Sequence, residues 1–381
     1  MDRSKPNGIH QMVPSFAQYD AIGLHVQAIQ KNLKQLGYES NIYFEKARSD
    51  TASLSMHYPH YRPRSSPKNI VIYHHSTSSA IPFFLFELQD YVIHVYHNIT
   101  PPIYFDRIND TDALEECKNG LRQLNIVRIL AQESWTVSQY NAGELSQHGI
   151  MDAEVFPLMR DYTRLSRIQP SGKVLWRFRD GKTNFLFVGR VTPNKCQHEL
   201  IIALKAYQNL YNKNARLILV GGVSPNYLKS IQNTADQLGI KICMSYLEGH
   251  SSDADVLILG QLSDNDLAAF YEVSHLFMCF SEHEGFCVPL VEAMNFNLPI
   301  LAHQSTAIPE TMGRAGILID KARPREFLPV MHDLVSNQDL RRSIKNHSQR
   351  QARNYTTDKL DQEFLSVLNK SLARFEQRNI Q

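Results

Sequence analysis

Long apolar runs are missing from this sequence. No segment approaches the ~20 apolar residues needed to cross a bilayer, and the opening stretch MDRSKPNGIHQMVPSF lacks the apolar centre of a secretory signal. The expectation is a soluble, cytoplasmic protein, at most peripheral at the inner face of the membrane. Cysteine is scarce as well. Cys117, Cys196, Cys243, Cys279 and Cys287 are odd in number and scattered, with no CxxC pair and no metal-ligand spacing. That usage fits a reducing compartment and calls for no bound metal. An excess of one charge sign is also absent. Forty Lys and Arg against 38 Asp and Glu leave a net charge of +2, too balanced for the basic footprint of a nucleic-acid binder.

What is present is alternation. At 381 residues the chain exceeds the usual size of one hydrophobic core, so two domains are expected. In the first half, AIGLHVQAIQKNLKQLGY carries helical spacing at Ile22, Val26, Ile29 and Leu33, while KNIVIYHH and YVIHVYHN read as strands. After a polar stretch broken by Pro170, Gly172 and Gly181, the pattern restarts with NFLFVGR, ARLILVG, ADVLILGQ, HLFMCFSE and LPILAH between helical segments. Strands and helices alternating at this pitch imply parallel sheets with right-handed crossovers. The fold class is therefore α/β, with two Rossmann-like domains facing a central cleft. The boundaries read as 1–158, a linker at 159–182, a second domain at 183–355, and a final amphipathic helix at 356–381. That helix has Leu360, Phe364, Leu368 and Leu372 on one stripe and is expected to pack back on the first domain.

Open parallel sheets bind ligands beyond the carboxyl ends of their strands, and two motifs sit at such places. In FSEHEGFCVPLVEAMNF, a strand runs into a loop carrying Glu282 and Glu284, then into a helix carrying Glu292. A carboxylate there can accept two hydrogen bonds from a vicinal diol of a ribose or a hexose. Acidic residues are also favoured at helix starts by the dipole alone. In FLFVGRVTPNK, Arg190 follows a strand and Lys195 stands at the start of the next helix, where a diphosphate would meet a guanidinium fork and a point charge. Other patterns are weaker. DTD at Asp110–Asp112 and DAD at Asp253–Asp255 read as capping or chance. His74 and His75 end a strand with no third ligand spaced to help, which favours a surface or cleft role.

The second half, strongly over residues 183–320, resembles the donor domain of retaining glycosyltransferases of the GT-B architecture, group 1. Its E-x7-E signature matches Glu284 and Glu292, and its Arg and Lys match Arg190 and Lys195. IHQMVPSFAQYDAIGLH and VYHNITPPIYF in the first half are similar to segments of bacterial surface-polysaccharide mannosyltransferases. The resemblance implies that Glu292 binds the donor ribose and Glu284 the donor sugar, with Arg190 and Lys195 on the diphosphate. It has His97 lining the sugar site from the acceptor domain, and Gly23 letting the opening loop approach the phosphates. Gly189, Gly285, Phe286, Cys287 and Val288 complete the donor contacts. Cys287 stands where such sequences commonly carry glycine. The implied donor is a nucleotide-sugar, GDP-mannose first and a UDP-hexose next, and the implied acceptor a glycan or lipid-linked glycan, with no metal or other cofactor. Retention would come from front-face attack, Glu284 as a covalent nucleophile being the lesser option. A nucleotide-sugar epimerase of the same architecture and a non-catalytic scaffold of polysaccharide assembly are the alternatives.

Overall fold

In a computed structural model, residues 5–17, 20–47, 54–247 and 253–380 of the chain are described. They form two compact units. The first comprises residues up to Pro102, Thr111–Asp161 and the stretch from Thr357; the second comprises Ile103–Asp110 and Tyr162–Thr356.

The first unit is built on a seven-stranded sheet of β1 (Gly8–Phe16), β2 (Ile42–Ala47), β3 (Met56–His57), β4 (Asn69–His75), β5 (Tyr91–Tyr96), β6 (Glu133–Thr136) and β7 (Glu154–Val155), in the order β3-β2-β1-β4-β5-β6-β7. All its pairings are parallel. β1 carries Pro14, which weakens its strand signal because proline cannot donate to a ladder. The register accommodates it: pairing with β4 ends at Met12, so only β2 flanks the proline.

The second unit holds β8 (Thr183–Val188), β9 (Ala215–Val220), β10 (Ile242–Cys243), β11 (Val256–Ile258), β12 (Leu276–Cys279), β13 (Ile300–His303) and β14 (Ile317–Ile319), in the order β10-β11-β9-β8-β12-β13-β14, again all parallel. Apart from Asn184 and Arg216, the central strands β8 and β9 are mostly apolar along both faces, as sheets covered by helices on each side require. Phe185, Leu217 and Met278 pack into one core layer, and Leu186, Ile218 and Phe277 into the other.

Two boundaries differ from the sequence expectation. Residues 159–182 are not a free linker. They form helices Arg164–Arg167 and Gly172–Phe178, whose Leu165, Val174 and Phe178 are buried in the second unit. Arg216, 1% exposed on β9, fixes this segment. Its guanidinium lies 4.5 Å from the Phe178 ring centre and donates to both Asp180 carboxylate oxygens at 2.9 and 2.8 Å and to Asn184 Oδ1 at 2.6 Å. A buried guanidinium is stable only with such a set of acceptors. Ile103–Asp110 also departs from the first half and joins the second unit, where Ile108 packs against the core.

The last helix, Thr357–Ile380, belongs to the first unit. Leu360, Phe364 and Leu368 are buried, and the stripe continues through Ser371 and Phe375 rather than Leu372. Phe364 meets Trp135 and Phe156, while Lys370 and Arg374 bond Glu154 and Glu133. Phe178→Ala should lower stability by about 3–5 kcal/mol, as removal of a core aromatic does. A true linker residue would change it by less than about 0.5 kcal/mol. Denaturant unfolding of the full chain distinguishes the two.

Candidate functional site

β8 and β12 are neighbours in the second sheet, so their carboxyl-end loops meet although they lie some ninety positions apart in sequence. The meeting is made by Asn194, a buried residue that the sequence reading passed over. Its side-chain amide donates to the His283 carbonyl at 3.1 Å, and its own carbonyl accepts the Glu282 N–H at 2.8 Å. Thr192 Oγ1 donates to Asn194 Oδ1 at 3.0 Å, fixing the amide. With the loops joined, Lys195 Nζ lies 2.6 Å from Glu284 Oε1, both side chains being largely shielded from solvent.

The three carboxylates of the E-x7-E region have three different partners. Glu282 bonds Lys321, which also bonds Glu199, each at 2.7 Å. Burial works against charge on Lys321, but these carboxylates outweigh it and raise its pKa. Glu282 is a support of the loop. Glu284 holds Lys195. Glu292, 5% exposed on helix Val288–Asn295, accepts a hydrogen bond from the Tyr271 hydroxyl at 2.9 Å. Tyr271 is itself fixed by near-parallel stacking on Phe296, with ring centres 4.9 Å apart.

Lys195 does not begin a helix, as the sequence suggested. It ends a 3-10 turn, Pro193–Lys195, and the helix starts at Gln197 after Cys196 in left-handed conformation (φ 54°). Arg190 is exposed, and Gln197 Nε2 holds its carbonyl at 2.9 Å. Gly189 (φ 149°) lies against Gly221 (φ 140°), where an added Cβ would come within 2.1 Å of the Gly189 carbonyl. Gly285 sits in the bend before the helix. The Phe286 ring is buried against Tyr162 and Tyr355, so the expected donor contact cannot come from an exposed ring. Cys287 caps the helix with φ 72°, a backbone conformation that glycine adopts freely, and Val288 begins the first turn.

His97 and Gly23 lie in the first unit. Gly23 has a local reason to be glycine: a Cβ there would lie 1.8 Å from the Ala17 carbonyl oxygen. Its N–H is accepted by Asp20, the N-cap of helix Ala21–Gln35, at 2.5 Å. The pair His74–His75 is not at the surface; both rings are fully buried. His74 belongs to a chain that ends at His97. Gln11 Nε2 donates to the Val26 carbonyl at 3.0 Å, which turns Gln11 Oε1 toward His74 Nε2 as an acceptor, 3.0 Å away. His74 Nε2 therefore carries the proton, and its Nδ1 accepts from His97 Nε2 at 2.8 Å. His97 is left with a bare Nδ1, buried and without a hydrogen-bond partner. His25, 5.3 Å from His97 between ring centres, accepts the Met159 N–H on Nδ1 at 2.8 Å, so its Nε2 is the protonated nitrogen. The nitrogens of His25, His74 and His97 cluster as metal ligands would. In this bonding pattern, however, two of the converging nitrogens carry protons rather than lone pairs.

Among the described residues two further tempting patterns are absorbed by structure. Asp255 of the DAD stretch accepts from Gln208 and from the Lys241 N–H, and Asp112 lies in the first turn of helix Thr111–Leu130. The run SSAIPFFLFELQDYVI forms helix Ile81–Phe86, with Phe84 and Leu85 buried but Phe83 and Phe86 exposed. No helix among the described residues is long and apolar enough to cross a membrane.

Burial, reinforced for His25, His74, His94 and His97 by neighbouring imidazoles, holds these rings and His75 below the usual histidine range, His75 and His97 at about 3. The unfolded chain binds protons near pH 6.5 that the folded chain refuses. The stability they contribute is thus full above pH 6.5 and lost as pH falls from there toward 3. The thermal midpoint should drop progressively below pH 6.5, and replacing His75 with Gln should flatten that fall in a pH series of melting curves.

Residues 174–351 match the family of glycosyl transferases group 1. Over 135 residues the chain is 37% identical to O-antigen chain mannosyltransferase B of Escherichia coli, covering 35% of this chain and 32% of that protein. It is 25% identical over 171 residues to the serotype-specific mannosyltransferase WbdA of Escherichia coli, covering 45% of this chain and 20% of that protein. The chain thus covers less than two thirds of the length of these relatives. By fold it is similar to Anabaena HepE, solved with UDP and glucose, with a TM-score of 0.71, 15% identity and coverage of 95% and 100%. WaaG, a glycosyltransferase involved in lipopolysaccharide biosynthesis, matches with a TM-score of 0.66, 11% identity and coverage of 94% and 99%. The two parallel-sheet units have the GT-B architecture of such enzymes, and the second carries the stretch that matches the glycosyl transferases group 1 family.

Proposed function

We propose that the chain is a retaining glycosyltransferase that moves a hexose, mannose by preference, from a nucleoside-diphosphate sugar to a glycan or lipid-linked glycan in surface polysaccharide synthesis. The observation that carries the reading is the Lys195–Glu284 pair held by Asn194 at the carboxyl ends of β8 and β12, with Glu292 one helical segment away on Tyr271. Kinship with two mannosyltransferases of Escherichia coli supports the choice of GDP-mannose over a UDP-hexose.

In this reading Glu292 accepts from the ribose hydroxyls, Glu284 from the donor sugar, and Arg190 and Lys195 meet the diphosphate. The bond from the anomeric carbon to the diphosphate oxygen breaks while the acceptor hydroxyl oxygen attacks the same face. The leaving phosphate oxygen takes the acceptor's proton, so charge balances without a covalent enzyme intermediate. Charge on the diphosphate grows in the transition state, and a preorganised cation stabilises it there more than in the bound donor. The protein acts in the cytoplasm, with contact at the inner membrane face through exposed side chains such as Phe83 and Phe86.

Lys195→Ala should lower turnover roughly 10²-fold while weakening donor binding less. The loss in the Lys195→Ala, Glu284→Gln double variant should fall well short of the product of the single losses, because the two groups act as a pair. Steady-state transfer from GDP-mannose to a lipid-linked acceptor, read beside calorimetric donor binding, decides it. Unchanged turnover at saturating donor would reduce Lys195 to a docking contact. Donor converted without any acceptor would point instead to an epimerase.

The two glutamates should separate as well. Glu292→Ala should weaken binding of free GDP and of the intact donor alike by about 1.5–3 kcal/mol, the scale of a hydrogen bond to a charged group. Glu284→Ala should spare GDP and depress turnover. Equal losses of GDP affinity in the two variants would overturn this assignment. Transfer should also persist in EDTA; loss restored by magnesium or manganese would place a metal in the reaction.

A further inference from the structure

Cys279 ends β12 and Cys287 caps the helix that follows, so both thiols stand on rigid elements on either side of the Glu284 loop. Both side chains are buried, and their sulfurs are 3.9 Å apart. That is well beyond a disulfide bond of about 2.05 Å. It is close to the separation of two thiolates on one tetrahedral zinc ion, about 3.8 Å for Zn–S bonds of about 2.3 Å. A Glu284 carboxylate oxygen completes the group, all three ligand atoms lying within 4.8 Å of one another. Cys287 holds φ 72°, which disfavours any side chain, yet a thiol is what occupies it.

We propose that Cys279, Cys287 and Glu284 form an inhibitory binding site for a soft divalent cation of the zinc type. Both sulfurs bind as thiolates and the carboxylate as the third ligand, a water filling the fourth position. Two thiol protons leave to solvent as the cation enters. The sulfurs already share a hydrogen bond, which lowers the Cys279 thiol and raises that of Cys287. Burial also raises the Cys287 thiol, a cost that the entering cation and the partial positive charge of the helix N-terminus offset. Lys195 is the competitor: a cation on Glu284 displaces or weakens the Lys195 contact, so the metal-bound protein loses the arrangement assigned to donor binding. The inhibitory consequence rests on the glycosyltransferase reading; the binding itself does not.

The full chain, purified without metal, is titrated with Cd2+ and Zn2+. One equivalent of Cd2+ should produce the ultraviolet thiolate-to-cadmium charge-transfer band, with affinity rising as pH rises because protons are released. The band should vanish in Cys279→Ser and in Cys287→Ser. It should persist in Cys196→Ser, which alters the separate Cys196, Glu199 and Glu282 group. Glu284→Ala should weaken binding at least about tenfold, and Lys195→Ala should tighten it by releasing the carboxylate. One equivalent of Zn2+ should suppress transfer, and EDTA should restore it. A band that survives Cys279→Ser, or none with excess Cd2+, overturns the site. If Cys287→Ser fails to fold, Cys279→Ser and Glu284→Ala still decide it. Binding as described without loss of transfer would overturn the inhibitory role while leaving the site standing.

Discussion

The arrangement of the second unit turns on Asn194. Two parallel strands deliver their loops to the same edge, but nothing in a parallel ladder joins the loops once the strands end. Asn194 supplies the joint by donating to one loop's carbonyl and accepting from its N–H, much as a strand would, with Thr192 fixing the amide's orientation. The Lys195–Glu284 contact depends on that joint. Two flexible, solvated side chains would gain little from pairing, because their conformational entropy offsets the attraction. Held on joined loops and shielded from solvent, they have little such entropy to lose.

The first unit uses a different device, a polar chain in the interior with its proton positions set. The Val26 carbonyl orients Gln11, Gln11 orients His74, and His74 orients His97. Each bond leaves the next group one choice of donor or acceptor, so His97 offers a lone pair at Nδ1 while His25 offers a proton at Nε2. Burial keeps the rings neutral, and neutrality is what makes the two offers distinct. A protonated His97 would be a donor at both nitrogens.

Much of this was legible in the sequence, where the signals are local. Apolar runs flanked by helical spacing marked the second sheet, because its strands are buried on both faces. The meeting of the loops that carry Lys195 and Glu284 was legible because both follow strands of one sheet. Pro14 hid β1, since its tolerance depends on a register that only the folded sheet defines. The stretch at 159–182 looked like a linker because Pro170, Gly172 and Gly181 dominate its composition, while Arg216, which anchors it, lies on a strand well downstream. Asn194 was illegible because its partners are backbone atoms of a distant loop. The His25, His74 and His97 cluster was missed for the same reason: its members come from a helix, a strand and a loop. Cys279 and Cys287 were set aside because a spacing of eight fits no short metal motif, though a strand and a helix folded over one loop bring them together.

The pairing of Lys195 with Glu284 changes what a bound diphosphate would gain. In the sequence both cations looked free to meet phosphate. In the fold Lys195 already has a carboxylate partner, whereas Arg190 is exposed. Under the proposed reading, an arriving diphosphate is met first by Arg190 and by the Val288 N–H that opens helix Val288–Asn295, since Pro289 has no N–H and that of Leu290 is bonded to the Cys287 carbonyl. Lys195 is shared between Glu284 and phosphate. As the glycosidic bond breaks, charge on the diphosphate rises and the balance shifts away from Glu284. The carboxylate is then left to accept more strongly from the sugar hydroxyls, just as the ring gains positive character. A lysine divided in this way adds little to ground-state affinity and more to the transition state, which is the direction catalysis requires.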